Sequence, residues 1–114
     1  MIRKLTGAIF VTGMLLLGAV VVQLARAADA NAGEGVYDRK CKTCHGADGK
    51  GNPGMAKALN VQIPPLDSEG VQAKSDADIK KVVTEGKGKM RPVQGLSSDD
   101  VDNVIAFIRT LKKK

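Results

Sequence analysis

Apolar residues recur every three or four positions near the carboxyl end of the chain, which predicts an amphipathic helix there. Ser97 or Ser98 can cap this helix, and the two aspartates that follow complement the partial positive charge at its amino end. Its apolar stripe consists of Val101, Val104, Ile105, Ile108 and Leu111. We expect this stripe to pack on the core of the domain.

The same periodicity predicts two helices further upstream. One spans residues 76–85, with Ser75 as its cap and Gly86 at its end. Its buried edge is formed by Ile79, Val82 and Val83. The other spans about residues 32–40, with Asn31 as its cap. Its apolar face comprises Ala32, Val36, Tyr37 and Cys41.

Glycine and proline residues predict loops between these helices. Four glycines and a proline fall within residues 46–54 and exclude regular structure there. A short helical turn is predicted at residues 55–59, and residues 63–66 are expected to be extended because their prolines disfavour helix in the preceding residue. Residues 86–95 form another loop. No segment alternates apolar and polar residues as a strand would, so the predicted fold class is all-α.

The first residues of the chain have the composition of a secretory signal peptide. Two basic residues precede a long uncharged run, and Ala25 and Ala27 offer small side chains at the positions that a signal peptidase recognises. The predicted organisation is a signal peptide at residues 1–27 and a folded domain at residues 28–114. The alternative is an uncleaved membrane anchor at residues 6–25, since about 20 apolar residues suffice to span a bilayer.

The composition beyond the signal peptide indicates a core that needs an additional group. Tyr37 and Phe107 are its only aromatic residues, and a domain of this size often depends on a disulfide, a metal or a cofactor. Cleavage would leave 15 of the 18 basic residues against 12 acidic ones, a net charge of +3. Because no dense basic stripe is interleaved with aromatic residues, nucleic-acid binding is not expected.

The motif with specific chemistry is Cys41-Lys42-Thr43-Cys44-His45. Cys-x-x-Cys-His in an exported chain predicts covalent attachment of haem. At the end of a helix, side chains three positions apart share a face, so Cys41 and Cys44 can reach the two vinyl groups on one edge of the haem. The adjacent His45 can then coordinate the iron.

Three other interpretations of the cysteine pair compete with haem attachment. A structural disulfide would not need the histidine, and a thioredoxin-like redox pair expects a βαβ unit that the pattern does not predict. A zinc site would need further protein ligands, but His45 is the single histidine of the chain and no third cysteine is present. Haem attachment is therefore the preferred prediction.

Across residues 31–111 the chain resembles the small bacterial class I c-type cytochromes, which carry one haem ligated by histidine and methionine. The resemblance extends beyond the motif, because Gly33 and Tyr37 match a glycine and an aromatic residue of the family's first helix. The matching residues of the last helix are Val104, Phe107 and Ile108. The resemblance implies that these two helices cross closely. It also implies the cytochrome c fold: three main helices plus short helical turns and loops wrapped around one covalently bound haem c.

The resemblance also implies that Met90 is the second axial ligand of the iron. Met90 lies in a glycine-containing loop after a full helix, and thioether sulfur opposite imidazole raises the reduction potential. The family often has proline directly after this methionine, whereas here Arg91 precedes Pro92. Met55 follows closely after His45 and is expected to pack beside the haem. The expected metal ligands are therefore His45 and Met90.

Two further expectations concern the surroundings of the haem. The resemblance suggests that a backbone carbonyl near Pro53 accepts a hydrogen bond from the other ring nitrogen of His45. The walls of the haem pocket are expected to include Leu59, Ile63, Leu66, Val82, Val83 and Val93.

Iron held by protein on both sides can change its charge by one, but cannot bind oxygen without losing a ligand. The predicted function is therefore one-electron transfer between extracytoplasmic redox partners, and no enzyme activity is expected. The expected location is the periplasm or another extracytoplasmic compartment, with anchoring to the outer face of the inner membrane as the alternative. Basic residues near the Met90 loop and the motif would either steer docking onto acidic partners or form an ordinary solvated surface.

Two alternative functions stay open. One is a haem subunit of a membrane-bound respiratory or dehydrogenase complex, and the other is a haem enzyme or gas sensor with a labile sixth ligand.

Overall fold

A computed structural model of the chain describes residues 27–112. In chain order they form the helices α1 (Ala30–Lys40), α2 (Lys42–His45), α3 (Pro53–Leu59), α4 (Glu69–Gln72), α5 (Asp76–Glu85) and α6 (Ser98–Thr110). None of these helices is long and apolar enough to cross a membrane. The predicted signal peptide, residues 1–27, and its alternative as an anchor, residues 6–25, lie outside the described residues except for Ala27 at the boundary.

Regular structure within residues 27–112 is helical, apart from one isolated antiparallel bridge between Lys87 and Met90. The prediction of an all-α fold is therefore confirmed. The longest helices are α1, α5 and α6, and these are the three that apolar periodicity predicts.

The centre of the fold is the crossing of α1 and α6, which make the most extensive contacts of any two helices. A β-carbon on Gly33 would overlap with the backbone carbonyl of Asn103 and lie 3.0 Å from the β-carbon of Phe107. The two backbones therefore approach each other only because this side chain is absent. Beside the crossing, the rings of Tyr37 and Phe107 lie 5.1 Å apart at 51°, a favourable tilted arrangement. The expected contact between the first and last helices is confirmed.

The buried core is formed by one face of α6, the sides of α1 and α5 that meet it, and Leu66 from the loop before α4. It contains Val36, Tyr37, Leu66, Ile79, Val83, Val101, Val104, Ile105 and Ile108. Leu111, the last residue of the predicted stripe, is half-buried because it lies beyond the end of α6. On α1 the prediction was wrong for Ala32, which is exposed, while the neighbouring Gly33 is buried.

The start of α1 differs from the prediction, because Asp29 rather than Asn31 caps the helix. The Asp29 carboxylate accepts hydrogen bonds from the amides of Asn31 at 2.9 Å and Ala32 at 3.3 Å. The amide of Asp29 in turn donates to the side-chain oxygen of Asn103 at 2.8 Å. This contact with α6 selects one of two possible capping residues, which helical periodicity alone does not distinguish.

The glycine-rich segment is shorter than predicted, since α3 already begins at Pro53. Asn52 caps this helix by accepting from two amides of its first turn at 3.0 and 3.4 Å, and proline suits the first helical position. The short helix α4 was not predicted, and the hydroxyl of Ser68 caps it. Of residues 63–66, which were expected to be extended, residues 63–65 have no regular structure and Leu66 lies in a turn.

Helices α5 and α6 begin after the predicted caps Ser75 and Ser97. On α6, the guanidinium of Arg109 donates to the carboxylate of Asp76 at 2.8 and 3.1 Å. It also donates to two backbone carbonyls at and just after the end of α4. Arg109 therefore holds the end of α4 and the start of α5 against α6, because its planar guanidinium presents several N–H donors in a fixed geometry.

Candidate functional site

The Cys-x-x-Cys-His segment spans the junction of α1 and α2. Cys41 follows α1, with its amide donating to the carbonyl of Tyr37 at 2.8 Å, and it directly precedes α2. The carbonyl of Cys41 accepts from the amides of Cys44 at 3.3 Å and His45 at 2.9 Å. The two thiols and the imidazole are therefore carried on about one turn of helix.

The loop after α2 supplies hydrogen-bond partners that so short a helix lacks at its end. The amide of Gly51 donates to the carbonyl of His45 at 2.7 Å, and the amide of Asn52 donates to the carbonyl of Cys44 at 2.9 Å. The side-chain amide of Asn52 donates to the carbonyl of Thr43 at 3.0 Å, while its side-chain oxygen caps α3. The Cys-x-x-Cys-His residues together with Gly46 form the attachment segment. Asn52 therefore joins the attachment segment to α3.

One further hydrogen bond reaches the segment from the core. The Tyr37 hydroxyl donates at 2.6 Å to the carbonyl of Gly46, the residue after His45. Tyr37 is 0% exposed. Burial, with smaller contributions from nearby groups including Cys41 and Asp48, raises the pKa of this hydroxyl to about 12. The phenol therefore stays protonated, and able to donate, throughout the physiological pH range.

Cys41 and Cys44 are free thiols, and both are half-buried. Burial, followed by the charge of the neighbouring Cys44, raises the pKa of the Cys41 thiol to about 11. A thioredoxin-like redox pair is expected within a βαβ unit, which residues 27–112 do not form. Within residues 27–112, no three His, Cys, Asp or Glu side chains are grouped to hold a metal ion, as a zinc site would require.

The imidazole of His45 is suited to bind a metal. It is half-buried, and burial lowers the pKa of the ring, which favours the neutral form with a free electron pair. Its Nδ1 is buried without a hydrogen-bond partner in the part of the chain that the structure describes. The expected bond from this ring nitrogen to a carbonyl near Pro53 is therefore not formed. Pro53 is the first residue of α3.

Met90 closes a two-residue turn that follows α5. Its amide and its carbonyl both pair with Lys87, at 3.0 and 2.9 Å. The turn depends on Gly86, which has a φ of 80° and whose β-carbon would lie 2.6 Å from the carbonyl of Met90. The backbone of Met90 is thus fixed by its neighbours in the chain, and its side chain is half-buried.

Two contacts with residues outside the turn hold it against the rest of the fold. The amide of Val93 donates to the carbonyl of Val83 on α5 at 2.9 Å. The ammonium of Lys89 donates to the carbonyl of Leu59, at the end of α3, at 2.7 Å. Because Asn52 holds the beginning of α3 to the attachment segment, α3 connects the turn of Met90 with the segment of His45.

Several apolar side chains of α3, α5 and the loops after them are incompletely covered. Two of the predicted wall residues, Leu66 and Val83, belong to the core. The half-buried set consists of Met55, Leu59, Val61, Ile63, Val82 and Val93. Side chains of these types are usually covered more fully, and a large apolar group would cover them here. With two free thiols and an imidazole whose buried nitrogen lacks a partner, these residues fit a covalently attached haem.

Three residues that contribute to the site were not predicted to do so from the sequence. The role of Asn52 could have been found, because an asparagine directly before a proline is a typical start of a helix. The hydrogen bond of the Tyr37 hydroxyl and the contact of Lys89 with Leu59 have no signal in the sequence. Both depend on where the helices lie in the folded chain.

Comparisons with known proteins identify the family. The model of the family described as "Cytochrome C oxidase, cbb3-type, subunit III" matches residues 28–108. Cytochrome c-554(547) of Halothiobacillus neapolitanus is 36% identical over 92 residues, which cover 75% of this chain and 100% of that protein. The solved structure of the KustC0563 c-type cytochrome matches with a TM-score of 0.61 and 30% identity, covering 71% of this chain and 98% of that chain. This chain is a small class I c-type cytochrome.

As a c-type cytochrome, the protein carries covalently attached haem c and transfers electrons. The expectations of the cytochrome c fold and of the haem c cofactor are confirmed. Cys41 and Cys44 are the two cysteines available for attachment.

Proposed function

We propose that the protein is a periplasmic one-electron carrier in which Cys41 and Cys44 tether the haem, and His45 and Met90 ligate its iron. The observation that carries this proposal is the short helical segment with two free thiols three positions apart beside an imidazole whose pKa is lowered by burial and whose buried Nδ1 has no hydrogen-bond partner within residues 27–112. Each thiol would add its sulfur and its hydrogen across one vinyl group, so that no atom is lost. When bound, the haem iron supplies a one-electron couple.

The protein residues would hold both ligands in place while the charge changes. The carbonyl of His45 is bonded to Gly51 at 2.7 Å, and the turn that carries Met90 is paired with Lys87 at both backbone groups. Neutral imidazole and thioether sulfur each offer an electron pair without giving up a proton. Backbone held in this way limits the rearrangement that accompanies electron transfer, and half-buried apolar side chains keep water away.

The ligand assignment can be tested by a pair of methionine variants. M90A is expected to abolish the long-wavelength sulfur-to-iron absorption band of the oxidised protein and to let the reduced protein bind carbon monoxide. M55A, at the other half-buried methionine, should keep the band and exclude carbon monoxide. The opposite result, with the band lost in M55A, would transfer the ligand role to Met55. A wild-type protein that already binds carbon monoxide would instead favour a gas sensor or haem enzyme.

The tether is tested separately by mass and by solvent extraction. Wild-type protein should keep its colour in acidified acetone and have the mass of the chain plus one haem. C41A and C44A should each retain one thioether, and the double variant should lose its colour on extraction. Extraction of haem from the wild type would refute covalent attachment through these residues.

Docking onto acidic partners would depend on the basic residues that are not engaged within the molecule. Lys80 forms an ion pair with Asp102 at 3.5 Å, and the Lys89 ammonium bonds to a backbone carbonyl. Part of the predicted basic rim is therefore occupied within the molecule. Electron-transfer rates with one acidic partner should still fall as salt rises, because the remaining basic residues attract it. Rates that stay flat or increase with salt would remove this steering.

A second candidate function is a haem subunit of a membrane-bound respiratory complex. It is favoured by the match to a family described as subunit III of a cbb3-type oxidase. Amino-terminal sequencing of protein from the native host separates the two functions. A mature chain that begins after Ala27 and stays in the periplasmic extract supports the free carrier. A chain that keeps residues 6–25 and needs detergent for release supports the membrane-bound subunit.

A further inference from the structure

Among residues 27–112, the Tyr37 hydroxyl is the only side-chain donor of the apolar core that reaches the attachment segment. Its acceptor is the carbonyl of Gly46, immediately after His45. Gly46 has a φ of 81°, and glycine has wide freedom of rotation, so its own backbone would not define the position of this carbonyl. The hydrogen bond from Tyr37 therefore contributes to holding this carbonyl in place.

We propose that this hydroxyl positions the imidazole of His45 relative to the haem, a role that rests on the proposed ligation of iron by His45. The peptide after His45 is held at both of its ends. The amide of Gly46 donates to the carbonyl of Lys42 at 2.8 Å, and the carbonyl of Gly46 accepts from Tyr37 at 2.6 Å and from the amide of Gly49 at 3.2 Å. The shortest of these three bonds is the one from Tyr37.

The ring and the hydroxyl of Tyr37 have separable roles. The ring is 0% exposed and packs on Phe107 at 5.1 Å, so it belongs to the α1–α6 crossing. Phenylalanine would fill the same space and keep that packing. It would leave the carbonyl of Gly46 with only the longer bond from Gly49. A protein that needed only packing at this position would not require the oxygen atom.

The test compares Y37F with V104A, which weakens the same helix crossing without affecting the hydroxyl; Val104 is also 0% exposed. His45 is the single histidine, so labelling with 15N-histidine gives one pair of ring-nitrogen signals. In oxidised holoprotein, Y37F is expected to displace the iron-shifted ring signals more than V104A does. Amide exchange at Gly46 and Gly51 should accelerate about five-fold in Y37F, the effect of losing one hydrogen bond. In V104A these two amides should exchange no faster than the protein as a whole.

Fluorination provides a second variant, which keeps both the ring and the hydroxyl. Tyr37 is the single tyrosine, so growth on 3-fluorotyrosine modifies this position alone and makes the hydroxyl a stronger donor. The ring-nitrogen signals of His45 should then move opposite to their displacement in Y37F. Equal signals and equal local exchange in Y37F and V104A would overturn the positioning role. Ring signals without any shift from iron in the wild type would instead refute ligation by His45, and the positioning role with it.

Discussion

The two sides of the proposed haem site are held by different kinds of contact. On the histidine side, the carbonyls of Cys44, His45 and Gly46 each accept a hydrogen bond of 2.9 Å or shorter from the next loop or from the core. On the methionine side, Met90 depends on a tight turn, with an exposed ammonium of Lys89 as its contact to α3. The bond from Tyr37 is partly buried, whereas the bond from Lys89 is exposed, and bonds shielded from solvent resist opening better than exposed ones. Ligand exchange is therefore expected to begin at Met90.

The largest effect is expected from separating the helices that support the histidine side. G33A should lower the free energy of unfolding by about 3 kcal/mol, since a β-carbon would overlap with the carbonyl of Asn103. G35A is the matched control on the same helix, because its β-carbon would meet only the Arg39 side chain at 3.5 Å. It should stabilise the protein by about 0.5 kcal/mol through helix propensity. Denaturant unfolding measures both, and equal effects would contradict the close crossing.

Alkaline pH should weaken the histidine side through Tyr37. Folding raises the pKa of this hydroxyl to about 12 from its ordinary value of 10.0. The unfolded chain therefore releases the proton first, and stability present below pH 10 is lost as pH rises toward 12. The loss is roughly 2–3 kcal/mol. Unfolding of wild type and Y37F across this range isolates the effect, because the lysines titrate in both; parallel curves would show that the hydroxyl is not protected.

Loss of Asn52 should uncouple the attachment segment from α3. N52A removes the cap of α3 and the bond to the carbonyl of Thr43, and should cost about 2 kcal/mol in unfolding free energy. N31A is the control, because Asn31 was predicted as a cap but Asp29 has that role. It should cost less than about 0.5 kcal/mol. A larger loss in N31A than in N52A would contradict both cap assignments.

The smallest effect is expected at the exposed contact on the methionine side. K89Q should raise the affinity of oxidised protein for imidazole about three-fold, because loss of the bond to Leu59 lets the turn of Met90 open more easily. K87Q makes the same charge change in the same turn and leaves this contact in place. It should leave imidazole affinity unchanged in a spectroscopic titration. Equal increases in the two variants would assign the effect to charge alone.

Much of the architecture follows from local patterns in the chain. The bounds of α5 and the apolar stripe of α6 agree with the prediction, because alternation of apolar and polar side chains at helical spacing is a local property. The cap of α1 and the whole of α4 do not. Whether a short helix forms, and which of two residues caps a helix, depends on small differences in free energy. Tertiary contacts such as that of Asp29 with Asn103 decide between these outcomes.

The sequence by itself determined the helical class and the chemistry of the motif, since thiol spacing and an adjacent imidazole are properties of neighbouring residues. Only the tertiary structure decided how that motif is held. The hydroxyl of Tyr37 meets Gly46 across the junction of α1 and α2, and Lys89 meets Leu59 from 30 positions away. Such contacts depend on the relative placement of whole helices, which the packing of all their side chains sets together.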